Sequence, residues 1–285
     1  MRSKIVDFLT ERRVLKFVKK YLQIGFYYFD KQDLTLKRIV FSNFSLKKFF
    51  HSHFVIGESK RINDLKFNYG GEKIIIFLND KAFSFFKDKS TYLFAKKNWN
   101  KYSSSITFPA ISISYFDDKK RMNESVAICG NVFRDKMHDL LAVEKMIDFA
   151  VTASFDCREH LYLQHGDSKR GNLIWVNDNR FVFADLDGIR FYPALFDVLH
   201  YLNGANYSFE EIIDILKTHN EKINIIFNNV YCDVSKNHLD DVFFDYVSFL
   251  SAHKTRFWEF RFLITDKISN YKKTHKLLKT LQMIE

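Results

Sequence analysis

Proline, glycine and cysteine are scarce in this 285-residue chain, at two, nine and three residues. So little proline and glycine excludes collagen-like and low-complexity architectures, which need one or both in quantity. The three cysteines, Cys129, Cys157 and Cys232, form no Cys-x-x-Cys pair and exclude a disulfide framework. They read as reduced thiols of a cytosolic protein. No apolar run approaches the roughly 18 residues of a membrane span. The amino terminus, Met1-Arg2-Ser3-Lys4, is followed by Asp7, Glu11, Arg12 and Arg13, so it does not read as a secretory signal. The expectation is a cytoplasmic protein. No histidine pair shows a spacing such as His-Glu-x-x-His, so zinc is not indicated.

The chain does have length, aromatic mass and positive charge. Its length allows one large domain or two lobes with a sizeable core, and 32 phenylalanines supply apolar bulk. A net charge of +10 and a pI near 9.3 favour anionic partners: nucleotide phosphates, an anionic glycan, a lipid surface or nucleic acid. No nucleic-acid recognition motif accompanies that charge, so nucleic acid is not expected.

The most informative stretch is Gln164-His165-Gly166-Asp167-Ser168-Lys169-Arg170-Gly171-Asn172, a polar loop with an acid, a basic pair and an amide. It runs into two short apolar strands, Leu173 to Val176 and Phe181 to Ala184, joined by a turn at Asn177-Asp178-Asn179. Asp167 precedes the first strand and Asp185 follows the second, so the hairpin gathers two carboxylates and a carboxamide at one edge. Magnesium prefers such hard oxygen donors and takes few from protein. Phosphoryl transfer needs that metal and a carboxylate to receive the proton of the attacking hydroxyl.

The stretch resembles the catalytic segment of the kinase-like small-molecule phosphotransferases, the superfamily of aminoglycoside phosphotransferases and choline kinases. Their pattern is His-Gly-Asp, four residues, Asn, then a strand and Asp-x-Asp or Asp-x-Glu. The resemblance implies an α+β, two-lobed protein-kinase-like fold, with a small mostly β lobe over residues 56–130 and a larger mostly helical lobe over 131–285. Residues 1–55 would be a basic, aromatic and largely helical prelude. By the same resemblance Asp167 is the catalytic base, and Asn172 and Asp185 hold magnesium, with Asp187 at a second metal. Lys169 lies two residues past the base, where serine/threonine kinases carry a lysine that approaches the transferred phosphate, which favours a hydroxyl acceptor and keeps a protein-kinase reading open. His165 shapes the backbone, and Asp197, after Tyr192-Pro193, caps the loop from beneath. An ordinary first-turn acid favoured by the helix dipole is the other reading of Asp197.

ATP would lie between the lobes. Three strands read off residues 62–87, with turns at Gly70-Gly71 and Asn79-Asp80-Lys81. A glycine corner lets backbone amides approach phosphates closely. Lys87, after the third strand, sits where kinases keep a phosphate-pairing lysine, with Lys73 as the rival. No acid occurs between Lys89 and Phe116 to hold that lysine from the following helix. Two more strands, Ala110 to Phe116 and Glu124 to Cys129, end at Cys129-Gly130, where backbone groups would bind the adenine. A helix with Ala142, Val143, Met146, Ile147 and Ala150 on its apolar face precedes the catalytic loop.

Two segments carry less chemistry. Phe8, Leu9, Leu15, Phe17 and Val18 recur at helical spacing among Arg12, Arg13, Lys16, Lys19 and Lys20. Such a helix can lie on an anionic membrane surface, here the inner membrane, or pack one face on its own domain. Residues 208–285 read as helical, with Phe243, Phe249, Trp258 and Phe260 as core and Lys267, Lys272, Lys273, Lys276 and Lys279 as a solvated face. The Gly-Asp-x-x-Arg-Gly-Asn run is also similar to bacterial kinases of lipopolysaccharide core sugars. The resulting expectation is an ATP-dependent phosphotransferase acting on a hydroxyl of a small molecule or sugar, preferably a surface glycan. A protein serine/threonine kinase and a non-catalytic pseudokinase remain alternatives. Asp185-Leu186-Asp187 in place of Asp-Phe-Gly argues against the first, and the intact Asp167, Asn172 and Asp185 argue against the second.

Overall fold

The computed structural model describes residues 2–40, 48–49, 52–55, 65–158 and 161–231. The aromatic core and lysine face expected beyond residue 231, and Cys232, lie outside them. The chain is mixed α+β and divides into two compact units. The first comprises Met1–Lys101 and Ile111–Cys129, the second Tyr102–Ala110 and Gly130–Glu285.

The first unit is built on an antiparallel sheet of β1 (Gly25–Asp30), β2 (Thr35–Arg38), β3 (His53–Val55), β4 (Leu65–Tyr69), β5 (Lys73–Leu78), β6 (Lys81–Phe86), β7 (Ile113–Asp117) and β8 (Met122–Val126). The order across it is β3-β1-β2-β4-β5-β6-β8-β7. Two helices accompany it, α1 (Arg2–Val18) and α2 (Lys89–Tyr102). Every β6 residue after Lys81 is buried, so both faces of that strand are covered. Side chains alternate along a strand. Phe83 and Phe85 accordingly join Val14, Leu15 and Val18 of α1 in one core, while Phe86 joins Tyr92 and Ala95 of α2 in another.

Two expectations about domain limits are corrected. Residues 1–55 are not largely helical: beyond α1 and a short turn, their described residues include the strands β1, β2 and β3. Gly25-Phe-Tyr-Tyr-Phe-Asp30 is rich in residues that suit a pleated, half-buried surface, and it pairs with β2 and β3 while burying Tyr27 and Phe29 against α1. Residues 102–110, assigned from sequence to the small lobe, group with the second unit. Phe183 N donates to the Pro109 carbonyl at 2.8 Å, and Ala110 bridges to Phe183.

The second unit contains α3 (Lys136–Ser154), β9 (Leu161–Gln164), β10 (Leu173–Asn177), β11 (Arg180–Phe183), β12 (Arg190–Pro193), α4 (Phe196–Gly204), α5 (Phe209–Thr218) and α6 (Asn220–Tyr231). β10 and β11 form the hairpin read from sequence, turned by an Asx contact in which Asn179 N donates to Asn177 Oδ1 at 3.0 Å. Asp135 caps α3 by accepting from His138 N. β12 pairs antiparallel with β9, with Arg190 opposite Gln164 and Pro193 opposite Leu161, and Asp197 N at the start of α4 donates to Gln164 Oε1 at the end of β9.

Candidate active site

The loop between β9 and β10 is held from below by one carboxylate. Asp197, in the first turn of α4, accepts the backbone N–H of His165 at 2.7 Å and of Gly166 at 2.8 Å. Its own N–H donates to Gln164 Oε1, and its carbonyl accepts from Ser168 Oγ at 2.6 Å. Hydrogen bonds to an ionised acceptor contribute about 1.5–3 kcal/mol each, so this side chain sets the path of the loop. His165 Nε2 stands 2.8 Å from the Ala184 carbonyl, which can only accept, so that nitrogen carries the proton. Nδ1 then accepts from Asp167 N at 3.2 Å. With both nitrogens committed, the ring shapes the backbone and stacks on Phe183.

Gly166 has φ +82°, and a Cβ there would lie 2.0 Å from the Tyr192 hydroxyl. Both the backbone and the space therefore require glycine.

The turn so formed presents Asp167. Its Oδ2 accepts from Asn172 Nδ2 at 2.8 Å and lies 3.0 Å from Lys169 Nζ. His200 Nε2 is 3.7 Å from Oδ1, too long for a direct hydrogen bond and an ion pair only when the imidazole is protonated. Burial works against ionisation of Asp167, but His200 and Lys169 outweigh it and hold the carboxyl well below the usual carboxylate range. His200 lies one turn along α4 from Asp197, so the i, i+3 spacing that brings it here was readable in the sequence. The sequence reading did not use it.

A second buried carboxylate anchors the other side of the loop. Asp139 of α3, fully buried, receives a bidentate pair from Arg170, through Nε at 2.9 Å and through Nη2. The hydroxyls of Tyr201 and Tyr207 donate to the same carboxylate at 2.8 and 3.2 Å. Sequence reasoning missed this cluster because its members are up to 68 residues apart.

Asn172 and Asp185 are linked through the backbone, since Ala184 N donates to the Asn172 carbonyl at 2.8 Å. Asp185 adopts a left-handed conformation, φ 61°, at the exit of β11. Asp187 lies in the single 3₁₀ turn that follows. Among the described residues no group of three or more His, Cys, Asp or Glu side chains is placed to hold a metal ion. The donor set nevertheless fits magnesium. Asn172 commits its Nδ2 to Asp167, leaving the amide oxygen as its donor atom, and Asp185 adds carboxylate oxygens.

The residues expected at the nucleotide lie in the first unit. Gly70-Gly71 forms the corner between β4 and β5, where Gly70 N donates to the Lys73 carbonyl at 2.9 Å. Lys87, just past β6, pairs at 2.7 Å with Asp7 of α1 and sits over the Tyr69 ring. The carboxylate absent from the helix after β6 is thus supplied by the N-terminal helix. Lys73 is the cross-strand partner of Phe86 and shares its face of the sheet. The two candidate lysines consequently stand on opposite faces. Cys129 is exposed at the end of the unit.

No family model matches the chain, and no curated protein matches it. Among solved structures it is similar to a choline/ethanolamine kinase family protein from Mesorhizobium loti, with 11% identity and a TM-score of 0.42 over 76% of this chain and 89% of that one. It is likewise similar to the ADP-bound aminoglycoside phosphotransferase APH(2'')-Ib, with 13% identity and a TM-score of 0.43 over 67% and 93%. A third similar structure is the choline kinase LicA from Streptococcus pneumoniae, with 11% identity and a TM-score of 0.41 over 65% and 92%.

Proposed function

We propose that the protein is an ATP-dependent phosphotransferase that acts on a hydroxyl group, with Asp167 as its base. The observation that carries this reading is the Asp167 carboxylate, kept ionised by His200 and Lys169 on a loop locked by Asp197. A carboxylate so acidic is a weak proton acceptor in the ground state. It suits a reaction in which the hydroxyl is oriented first and gives up its proton late, as in a loose phosphoryl-transfer transition state. Asn172 fixes the position of Asp167, and Lys169 brings positive charge to the place where the phosphoryl group would arrive.

Asn172 and Asp185 would hold a magnesium ion, with Asp187 at a second; when bound, the metal neutralises phosphate charge. On the first unit, Gly70 and Gly71 would offer backbone amides to phosphate and Lys87 its ammonium, with Asp7 holding the lysine. The backbone at Cys129 would meet the adenine. The acceptor we favour is a sugar or surface-glycan hydroxyl, such as lipopolysaccharide core or capsule, because the chain carries a charge of +10. Such an acceptor would be met at the cytoplasmic face of the inner membrane.

The experiment is an ATP-turnover assay with magnesium across sugars, aminoglycosides, choline and protein substrates, run beside a thermal-shift titration of ATP. Asp167→Asn is expected to keep nucleotide binding and to cut transfer by about 10²–10⁴-fold. Equal turnover by the variant would remove Asp167 from the chemistry. Nucleotide binding without transfer to any acceptor would favour a binding module.

A further inference from the structure

Helix α1 sorts its side chains by charge as well as by polarity. Val14, Leu15 and Val18 are buried against the sheet. Both of its acids also turn inward: Asp7 pairs with Lys87, and Glu11 receives Tyr69 Oη at 3.0 Å and faces His53 Nε2 at 2.8 Å. Arg13 is likewise spent inside the unit, on the carbonyls of Phe86 and Lys120. The outward stripe is left with Ile5, Phe8, Leu9, Arg12, Lys16 and Lys19, spaced at i, i+3, i+4, i+7, i+11 and i+14, and it carries no acid.

The first half of that stripe is apolar and open to solvent, with Ile5 56% and Leu9 52% exposed. Its second half is cationic, and Lys20 beside it is exposed as well. A groove runs from Phe8, Leu9, Arg12 and Lys16 to the edge strand β3, whose His53 stacks on Phe8 at 4.5 Å. Phe54 alternates with His53 and Val55, which face α1, so its ring packs with Phe26 on the other face of the sheet and lies outside this surface. Exposed apolar side chains grouped as on α1 mark an interaction surface.

We propose that the outward face of α1 docks on an anionic lipid bilayer. Aromatic and aliphatic side chains enter the boundary between headgroups and acyl chains, while lysine and arginine meet the lipid phosphates. The charge sorting is what selects this occupant. A purely apolar patch would suit a second copy of the chain. Here an acid-free row of cations continues the apolar stripe along about 20 Å of helix axis. Two copies of such a face would bring like charges together. The two sequence readings of α1 are thereby reconciled, because the helix packs one face on its own unit and offers the other to lipid. The inference does not depend on the phosphotransfer reading, since docking is measured without nucleotide.

The test is co-sedimentation of the full chain with vesicles of phosphatidylcholine alone and with about 30% phosphatidylglycerol. Partitioning is expected to be at least about tenfold stronger on the anionic vesicles and to weaken as salt rises from about 0.1 to 0.5 M. The variants Ile5→Ser/Leu9→Ser and Arg12→Glu/Lys16→Glu should each lose this binding while their thermal midpoints match wild type. Absent or equal partitioning on the two vesicle types would overturn the proposal, as would a folded variant that binds like wild type. So would a concentration-dependent oligomer that Ile5→Ser/Leu9→Ser dissolves, which would assign the face to a second copy. Should a variant fail to fold, the lipid and salt dependence of wild type decides alone.

Discussion

Asp197 and Asp7 both lie in helices and each holds a residue proposed to act on substrate or nucleotide, yet they work in different ways. Asp197 is buried and accepts two backbone N–H groups, which fixes the main chain of the loop that carries Asp167. Asp7 is partly exposed and meets the Lys87 ammonium and the Tyr69 hydroxyl, which fixes only the ends of side chains. A backbone donor left without its partner in the interior is fixed in place and costs its full desolvation penalty, whereas the Lys87 ammonium, with 11% of its side chain exposed, sits on a flexible stem that can swing toward water. The second unit therefore depends on its carboxylates for shape, and the first depends on Asp7 only for the placement of a charge.

The largest effect that would break this comparison is at Asp197. Asp197→Ala orphans the N–H groups of His165 and Gly166 and should lower stability by about 3–5 kcal/mol, read from urea unfolding. A loss below about 1 kcal/mol would mean that the loop holds itself. Gly166→Ala comes next, because a Cβ would strike the Tyr192 hydroxyl and the backbone is left-handed. A cost of about 2 kcal/mol or more is expected, and adding Tyr192→Phe should not recover it, because the ring carbons Cζ and Cε2 would still lie 2.3 and 2.5 Å from the new Cβ.

A smaller effect is expected from pH. The folded-state pKa of Asp167 is depressed, so its ionisation adds stability that is fully present above the unfolded value of 3.8. That contribution is lost only as pH falls below 3.8 through the folded value. Urea midpoints measured from pH 5 down to pH 2 should therefore fall more for wild type than for Asp167→Asn. Parallel curves would show that Asp167 is not held ionised by its neighbours.

Asp7→Ala leaves Lys87, whose side chain is 11% exposed, without its carboxylate and should cost about 1–2 kcal/mol, less than the loss at Asp197. Its effect should also appear in ATP affinity. Asp7→Ala and Lys87→Ala would weaken binding by the same factor and not additively. If Lys73→Ala weakens ATP binding and Lys87→Ala does not, the nucleotide lysine lies on the opposite face of the sheet.

The same contrast explains what the sequence disclosed. The Gly166–Asn172 loop, the β10–β11 hairpin and α3 were legible because their signals are local: a turn glycine, an Asx turn, an apolar stripe. β4, β5 and β6 were also readable, from alternation broken by turn residues. Strands β1 to β3 were not, because the basic and aromatic residues around them also fit a helical spacing and only burial against α1 decides between the two. The Asp139–Arg170–Tyr201–Tyr207 cluster and the Asp7–Lys87 pair join distant segments, and no local pattern announces a long-range ion pair. His200 was within reach, one turn from a recognised aspartate.

The left-handed backbone of Asp185 carries a consequence for how this protein would respond to selection. A side chain in that conformation costs up to about 1–2 kcal/mol, less for aspartate than for most, and glycine would return part of it. A screen for heat resistance alone should therefore enrich Asp185→Gly, and under the proposed role each such winner would have discarded a magnesium ligand. Thermostable lineages would then be inactive ones, and the frequency of glycine at position 185 would report whether turnover had been selected alongside stability.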